Sequence, residues 1–190
     1  MINTPDPAPR GPAATGLADA ACPLCAPDAP RRPGAAHPPG AADPAGASGV
    51  EPPGTLWRDE VLRVVRVDDT PIPGFTRVIW NTHVAEMTDL DTASRSRLMR
   101  AVWLVEDALR GCLHPDKINL ASLGNQVPHL HWHIVPRWRE DPFFPASPWS
   151  APTTDPARLA AWEARRARLL GRIDSFHRAL VEALEAGASG

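Results

Sequence analysis

Between Pro128 and Pro136 the chain reads His129-Leu130-His131-Trp132-His133-Ile134-Val135. This run constrains the fold more than any other. Side chains on a β-strand alternate faces, so as a strand it gathers three imidazoles on one side and Leu130, Trp132 and Ile134 on the other. On a helix, a spacing of two turns side chains by about 200° and would scatter the imidazoles. A strand with one apolar face needs a sheet covered by another layer on that face. The sequence therefore predicts a strand over 129–135, stopped by Pro136, with an imidazole row opposite the core.

The flanking segments supply the rest of an α+β domain. Residues 61–67, rich in valine, read as a strand, and Phe75-Thr76-Arg77-Val78-Ile79-Trp80 as a second. Pro71, Pro73 and Gly74 mark the turn between them. Leu98, Val102, Val105 and Leu109 recur at helical spacing and predict a helix over about 92–112, capped by Thr88 or Asp91 and ended by Gly111 and Pro115. Residues 117–123 read as another strand, closed by Gly124. Four strands and one long helix, with hairpin-like connections, give an α+β domain. An ordered loop over 141–149 and one further C-terminal helix over about 156–186, packed on the domain or on a partner, complete the reading. Cys112 reads as a small buried hydrophobe, and Lys117, the sole lysine, shares a strand with Asn119.

Residues 1–54 contain 13 of the 23 prolines and little else but Ala, Gly, Asp and Arg. Such a stretch buries too little apolar area to offset its ordering entropy. It reads as a disordered leader, with His37 a solvated residue and Cys22-Pro23-Leu24-Cys25 an island. The division expected is 1–54 leader, 55–150 domain, 151–190 helical extension. A net charge of -2 argues against a general nucleic-acid binder. No apolar run is long enough for a membrane span, and no secretory signal is evident, so a cytoplasmic location is the default. The three cysteines do not form a disulfide framework.

Three readings of the histidine row are open on its residues alone. It is an incidental polar face, or a metal site, since histidines two apart on a strand can reach one zinc, or a centre for chemistry on phosphate. Imidazole titrates near neutrality and can attack when neutral and donate when protonated.

The run resembles the histidine triad (HIT) family pattern of His, apolar, His, apolar, His, apolar, apolar. Asn119 lies ten residues before His129, where that family places a phosphate- or ribose-facing Asn. Gly124-Asn125-Gln126-Val127 resembles its Gly-Gln-x-Val run, and Val78-Ile79-Trp80-Asn81-Thr82-His83 its Val-Ile-Pro-Lys-x-His segment. The likeness covers roughly residues 55–149. It departs at Trp80-Asn81, at Gln126, where many members carry Ser or Thr, and in the long linker after Cys25.

The resemblance implies attack by the middle histidine, His131, on an α-phosphorus and a nucleotidyl-histidine intermediate, with His133 and His129 beside it. Asn119, Gly124 and Gln126 would hold the phosphate oxygens. Hydrolysis of dinucleoside polyphosphates is the leading expectation, and phosphoramidate hydrolysis or nucleotidyl transfer the neighbouring ones. A nucleotide-binding module without turnover is the alternative from another class. A third, a cupin-like metal oxygenase, needs more strands than 55–149 supplies. The family likeness also implies a HIT-like α+β fold, an antiparallel sheet of about five strands with a long helix and an extra C-terminal helix, and a homodimer. No nucleic-acid partner, membrane or organic cofactor is expected.

Cys22 and Cys25 supply half a tetrahedral zinc site. Some relatives carry such a pair and close it with the histidine before the helix and the first triad histidine, which here match His83 and His129. A structural zinc on Cys22, Cys25, His83 and His129 is the expectation, with a free dithiol or a redox disulfide as the other readings.

Overall fold

The computed structural model describes residues 22–25 and 54–188. The leader expectation for 1–21 and 26–53, with His37, lies outside the described residues. Five strands, β1 (Thr55–Arg58), β2 (Leu62–Arg66), β3 (Thr76–Trp80), β4 (Lys117–Ala121) and β5 (His131–Arg137), form one sheet in the order β1-β2-β3-β5-β4. Every neighbouring pair is antiparallel. The histidine strand β5 lies between β3 and β4.

One face of the sheet carries Leu62, Val64, Val78, Ile118 and Ile134, all buried. Helix α1 (Thr92–Leu113) covers it with Leu98, Val102, Val105 and Leu109, each fully buried. Burying such a side chain contributes about 1.5–3 kcal/mol, so this seam carries much of the stability. Of the two expected caps, Asp91 is the one used, accepting from the Ser94 amide at 2.7 Å. Gly111 does not end the helix. It runs on to Leu113 and stops where His114 turns left-handed (φ 51°) ahead of Pro115. Gly74, before β3, has φ +81°, and a Cβ there would lie 2.7 Å from Leu113 Cδ1, so only glycine fits the turn.

Two expectations about strands and helices are corrected. Pro136 does not stop the histidine strand but sits inside it, opposite Ile118. The Leu130 carbonyl accepts from the Trp80 amide, so even-numbered positions of this segment turn their backbone polar groups toward β3. Pairing with β3 ends at Thr76↔Ile134, and Pro136 thus has no ladder partner to lose.

The C-terminal helix is two helices, α2 (Pro156–Leu170) and α3 (Ile173–Ala188), broken at Gly171. Glycine is a poor helix former, and the apolar stripes on the two sides meet different partners. Trp162 of α2 stacks near Trp138 at 5.8 Å, whereas α3 buries Phe176, Leu180 and Leu184 and packs along α1 and β1. Among the described residues no helix is long and apolar enough to cross a membrane. Cys112 is half-buried against the core.

Candidate functional site

The sheet face away from α1 carries the chemistry. Register places Arg77 opposite His133 and Ile79 opposite His131 on the β3 side, and Ala121 opposite His133 on the β4 side. His131 and His133 are buried at 6% and 4% exposure. His129 does not share the strand. It precedes β5 in a segment pinned by Leu130, whose amide donates to the Val84 carbonyl and whose carbonyl accepts from Trp80.

The hydrogen bonds fix the protons. His131 Nδ1 lies 2.6 Å from the His129 carbonyl oxygen. That oxygen can only accept, so Nδ1 carries the hydrogen and Nε2 is left with its lone pair. His131 Nε2 in turn lies 3.0 Å from His133 Nε2, and Arg77 Nε donates to His133 Nδ1 at 3.2 Å. Burial lowers the pKa of all three triad histidines, to about 4 for His129. The Arg77 cation lowers His131 and His133 further. At neutral pH the row therefore presents uncharged imidazoles, the form that can act as a nucleophile. Phe75 and Trp149 meet the His133 ring edge-on at 5.8 and 5.3 Å. The aromatic 141–149 loop thus closes one side of the row.

Asn119 lies on the same face of β4, two residues before Ala121. Its Oδ1 accepts from Arg137 Nη1 at 2.9 Å, which leaves its NH2 group as the free donor. Arg137 is buried and forks onto Asp141 at 2.7 and 3.1 Å, and Asp141 also accepts from the amides of Trp138, Phe143 and Phe144. Gly124 (φ +70°) and Gln126 stand in the β4–β5 loop, with Gln126 exposed. Lys117 is exposed, and its ammonium donates to the Ile118 carbonyl.

Arg77, Arg137 and Asp141 are not among the residues the sequence singles out. A lone arginine inside the apolar run 75–80 and an Arg–Asp pair four apart were the signals available. Removing Asp141 strands a buried guanidinium, which costs about 3–5 kcal/mol. Asp141→Ala is expected to lose that much unfolding free energy in urea titrations, and an unchanged midpoint would contradict the account.

Cys22, Cys25, His83 and His129 converge on the same face. Their ligand atoms all lie within 4.8 Å of one another. His129 Nδ1 is 3.5 Å from Cys22 Sγ and 3.3 Å from Cys25 Sγ, and His83 Nδ1 is 3.3 Å from Cys25 Sγ. Tetrahedral bonds of ordinary zinc lengths imply ligand–ligand edges of about 3.3–3.8 Å, so the group could hold a metal ion. His129 Nε2 lies 2.6 Å from the Trp80 carbonyl, the outer contact that orients a ligating histidine. Both ring nitrogens of His129 thus have partners, and what it gives His131 is its carbonyl. Leu24 is fully buried with Cys22 against Val65 and Ile79, and its carbonyl accepts from Arg63 at 2.8 Å. The Trp80-Asn81 departure from the family pattern has a use here. Trp80 is buried, and its amide, which proline would lack, donates to the Leu130 carbonyl at 3.1 Å, while Asn81 accepts from Arg63 at 2.9 Å.

A five-stranded antiparallel sheet with an imidazole row on a central strand and a helix behind it defines a histidine triad protein. The family model described as HIT domain matches residues 50–140, and that part of the chain is a HIT domain. It is 34% identical over 85 residues to an uncharacterized HIT-like protein of Saccharolobus solfataricus. That match spans 42% of this chain and 61% of that protein. Among solved structures it is similar to a histidine triad protein of Bradyrhizobium japonicum, at 27% identity and TM-score 0.48, over 63% of this chain and 91% of that one. A histidine triad protein of Marinobacter aquaeolei gives 25% identity and TM-score 0.48 over the same shares.

Proposed function

We propose that the protein cleaves nucleoside phosphates, or transfers their nucleotidyl group, through a covalent intermediate on His131. The observation that carries this is the fixed tautomer of His131. Its Nδ1–H is spent on the His129 carbonyl, and its Nε2, which carries no hydrogen, lies 3.0 Å from His133 Nε2. A neutral imidazole meets an anionic phosphate without charge repulsion. Nε2 attacks the α-phosphorus, a new P–N bond forms, and the bond to the leaving phosphate or amine breaks, with the departing group hydrogen-bonded by the His133 N–H and taking any proton it needs from solvent. Water or another acceptor then attacks the nucleotidyl-histidine, losing its proton to solvent, and the P–N bond breaks to free His131. Asn119, with its NH2 free to donate, Gly124 and Gln126 would hold non-bridging oxygens.

Dinucleoside polyphosphates are the substrate class favoured, with nucleoside phosphoramidates as the neighbouring one. The metal proposed for the Cys22, Cys25, His83 and His129 group is zinc. Four protein ligands leave no open position for water, so its part would be structural, holding the His129 segment. Assembly as a homodimer and a cytoplasmic location follow only from the family likeness and the default of the sequence. The test is incubation with a panel of diadenosine polyphosphates and adenosine phosphoramidates, followed by chromatography of the products. Multiple turnovers releasing a nucleoside monophosphate support the reading. Saturable binding without turnover would replace it with a nucleotide-binding module.

A further inference from the structure

We propose that Arg77 is a positioning residue that sets the proton on His133, keeping its one N–H on Nε2, the nitrogen that faces His131. The two are direct cross-strand partners, so the sheet register itself brings them together. Arg77 is 2% exposed, its guanidinium carbon lies 5.9 Å over the Phe75 ring, and its Nε donates to His133 Nδ1 at 3.2 Å. A guanidinium has no acceptor, so His133 Nδ1 must hold a lone pair. A neutral imidazole has one N–H, and it is therefore at Nε2, the atom 3.0 Å from His131.

The same assignment follows from the opposite end of the chain of bonds. The His129 carbonyl takes the His131 Nδ1–H, which leaves His131 Nε2 bare. It can only accept from His133 Nε2–H. Two independent constraints thus agree on one direction, from Arg77 through His133 and His131 to the His129 carbonyl. With either end reversed, two lone pairs or two hydrogens would face each other at 3.0 Å. Position 77 lies beside Val65 on one strand and opposite the His133 ring on the other. What an aliphatic residue cannot do is forbid the Nδ1–H tautomer. In that tautomer His133 would turn a lone pair toward His131 Nε2 and toward any phosphate oxygen beside it, and could not donate a hydrogen bond to either.

The role in turnover rests on the proposed nucleotidyl transfer, but the tautomer does not, and the test separates them. Two-bond proton–nitrogen spectra of the 15N-labelled full chain, assigned with single histidine variants at one neutral pH, report each tautomer directly. Wild type is expected to show His133 as Nε2–H and His131 as Nδ1–H. Arg77→Met should shift His133 to a mixture or to Nδ1–H while His131 stays as it is. Its kcat should fall on the order of 10- to 100-fold with KM changed less. Arg77→Lys, which keeps a donor without an acceptor, should restore the tautomer and most of kcat. His133 found as Nδ1–H in wild type overturns the proposal without any variant. So does Arg77→Met if it keeps the tautomer, or loses it at wild-type kcat. Should wild type turn over none of the nucleotides, the nucleotidyl-transfer reading falls, and the spectra alone decide the tautomer.

Discussion

His131→Ala is expected to lower turnover on the order of 10^4-fold or more, about 5.4 kcal/mol of barrier, while nucleotide affinity stays within a few-fold. The asymmetry follows from the geometry. His131 contributes a ring nitrogen without hydrogen, fixed so by the backbone carbonyl that holds its other nitrogen. The groups proposed to hold phosphate oxygens, Asn119 with its anchor Arg137 and the loop with Gly124 and Gln126, lie on other segments. The substitution removes the nucleophile without disturbing the sheet, because Ile79 opposite it and Leu130 before it keep their own packing. Steady-state kinetics with ligand titration checks both halves. A loss below about tenfold in turnover would rule out a covalent role.

Cys22→Ser/Cys25→Ser is expected to abolish stoichiometric zinc binding and lower the melting temperature by roughly 10 °C or more. Two effects add. The metal's binding free energy is lost from the folded state, and the tetrapeptide that buries Leu24 over Val65 and Ile79 loses its anchor. Because His129 positions His131 through its carbonyl, kcat should fall as well. Elemental analysis and calorimetry of the purified chain check this. Metal-free protein with the same melting temperature as the double variant would end the zinc assignment and favour a free dithiol.

The sheet, the long helix and the family could be read from the sequence because their signals are periodic and local. Alternation in 129–135 and the stripe Leu98, Val102, Val105, Leu109 need no knowledge of partners. The misreadings all concern partners. Whether Pro136 ends a strand depends on where β3 stops, which the residues of β5 do not encode. Whether 156–186 is one helix depends on Trp162 finding Trp138 while Phe176 faces elsewhere. His129 appears in the alternation but lies ahead of the strand, pulled toward the cysteines and Trp80. Arg77, Arg137 and Asp141 escaped because a buried charge is recognisable only through what it meets. A cross-strand histidine and a forked carboxylate become visible once register and loop are known.

The covalent intermediate is the central claim, and intact-protein mass spectrometry after rapid quenching of a diadenosine polyphosphate reaction tests it most directly. The account predicts a transient mass increase of one nucleoside monophosphate unit, located by digestion on the peptide containing His131 and absent from His131→Ala. Turnover without any adduct, or an adduct on a residue other than His131, would contradict it.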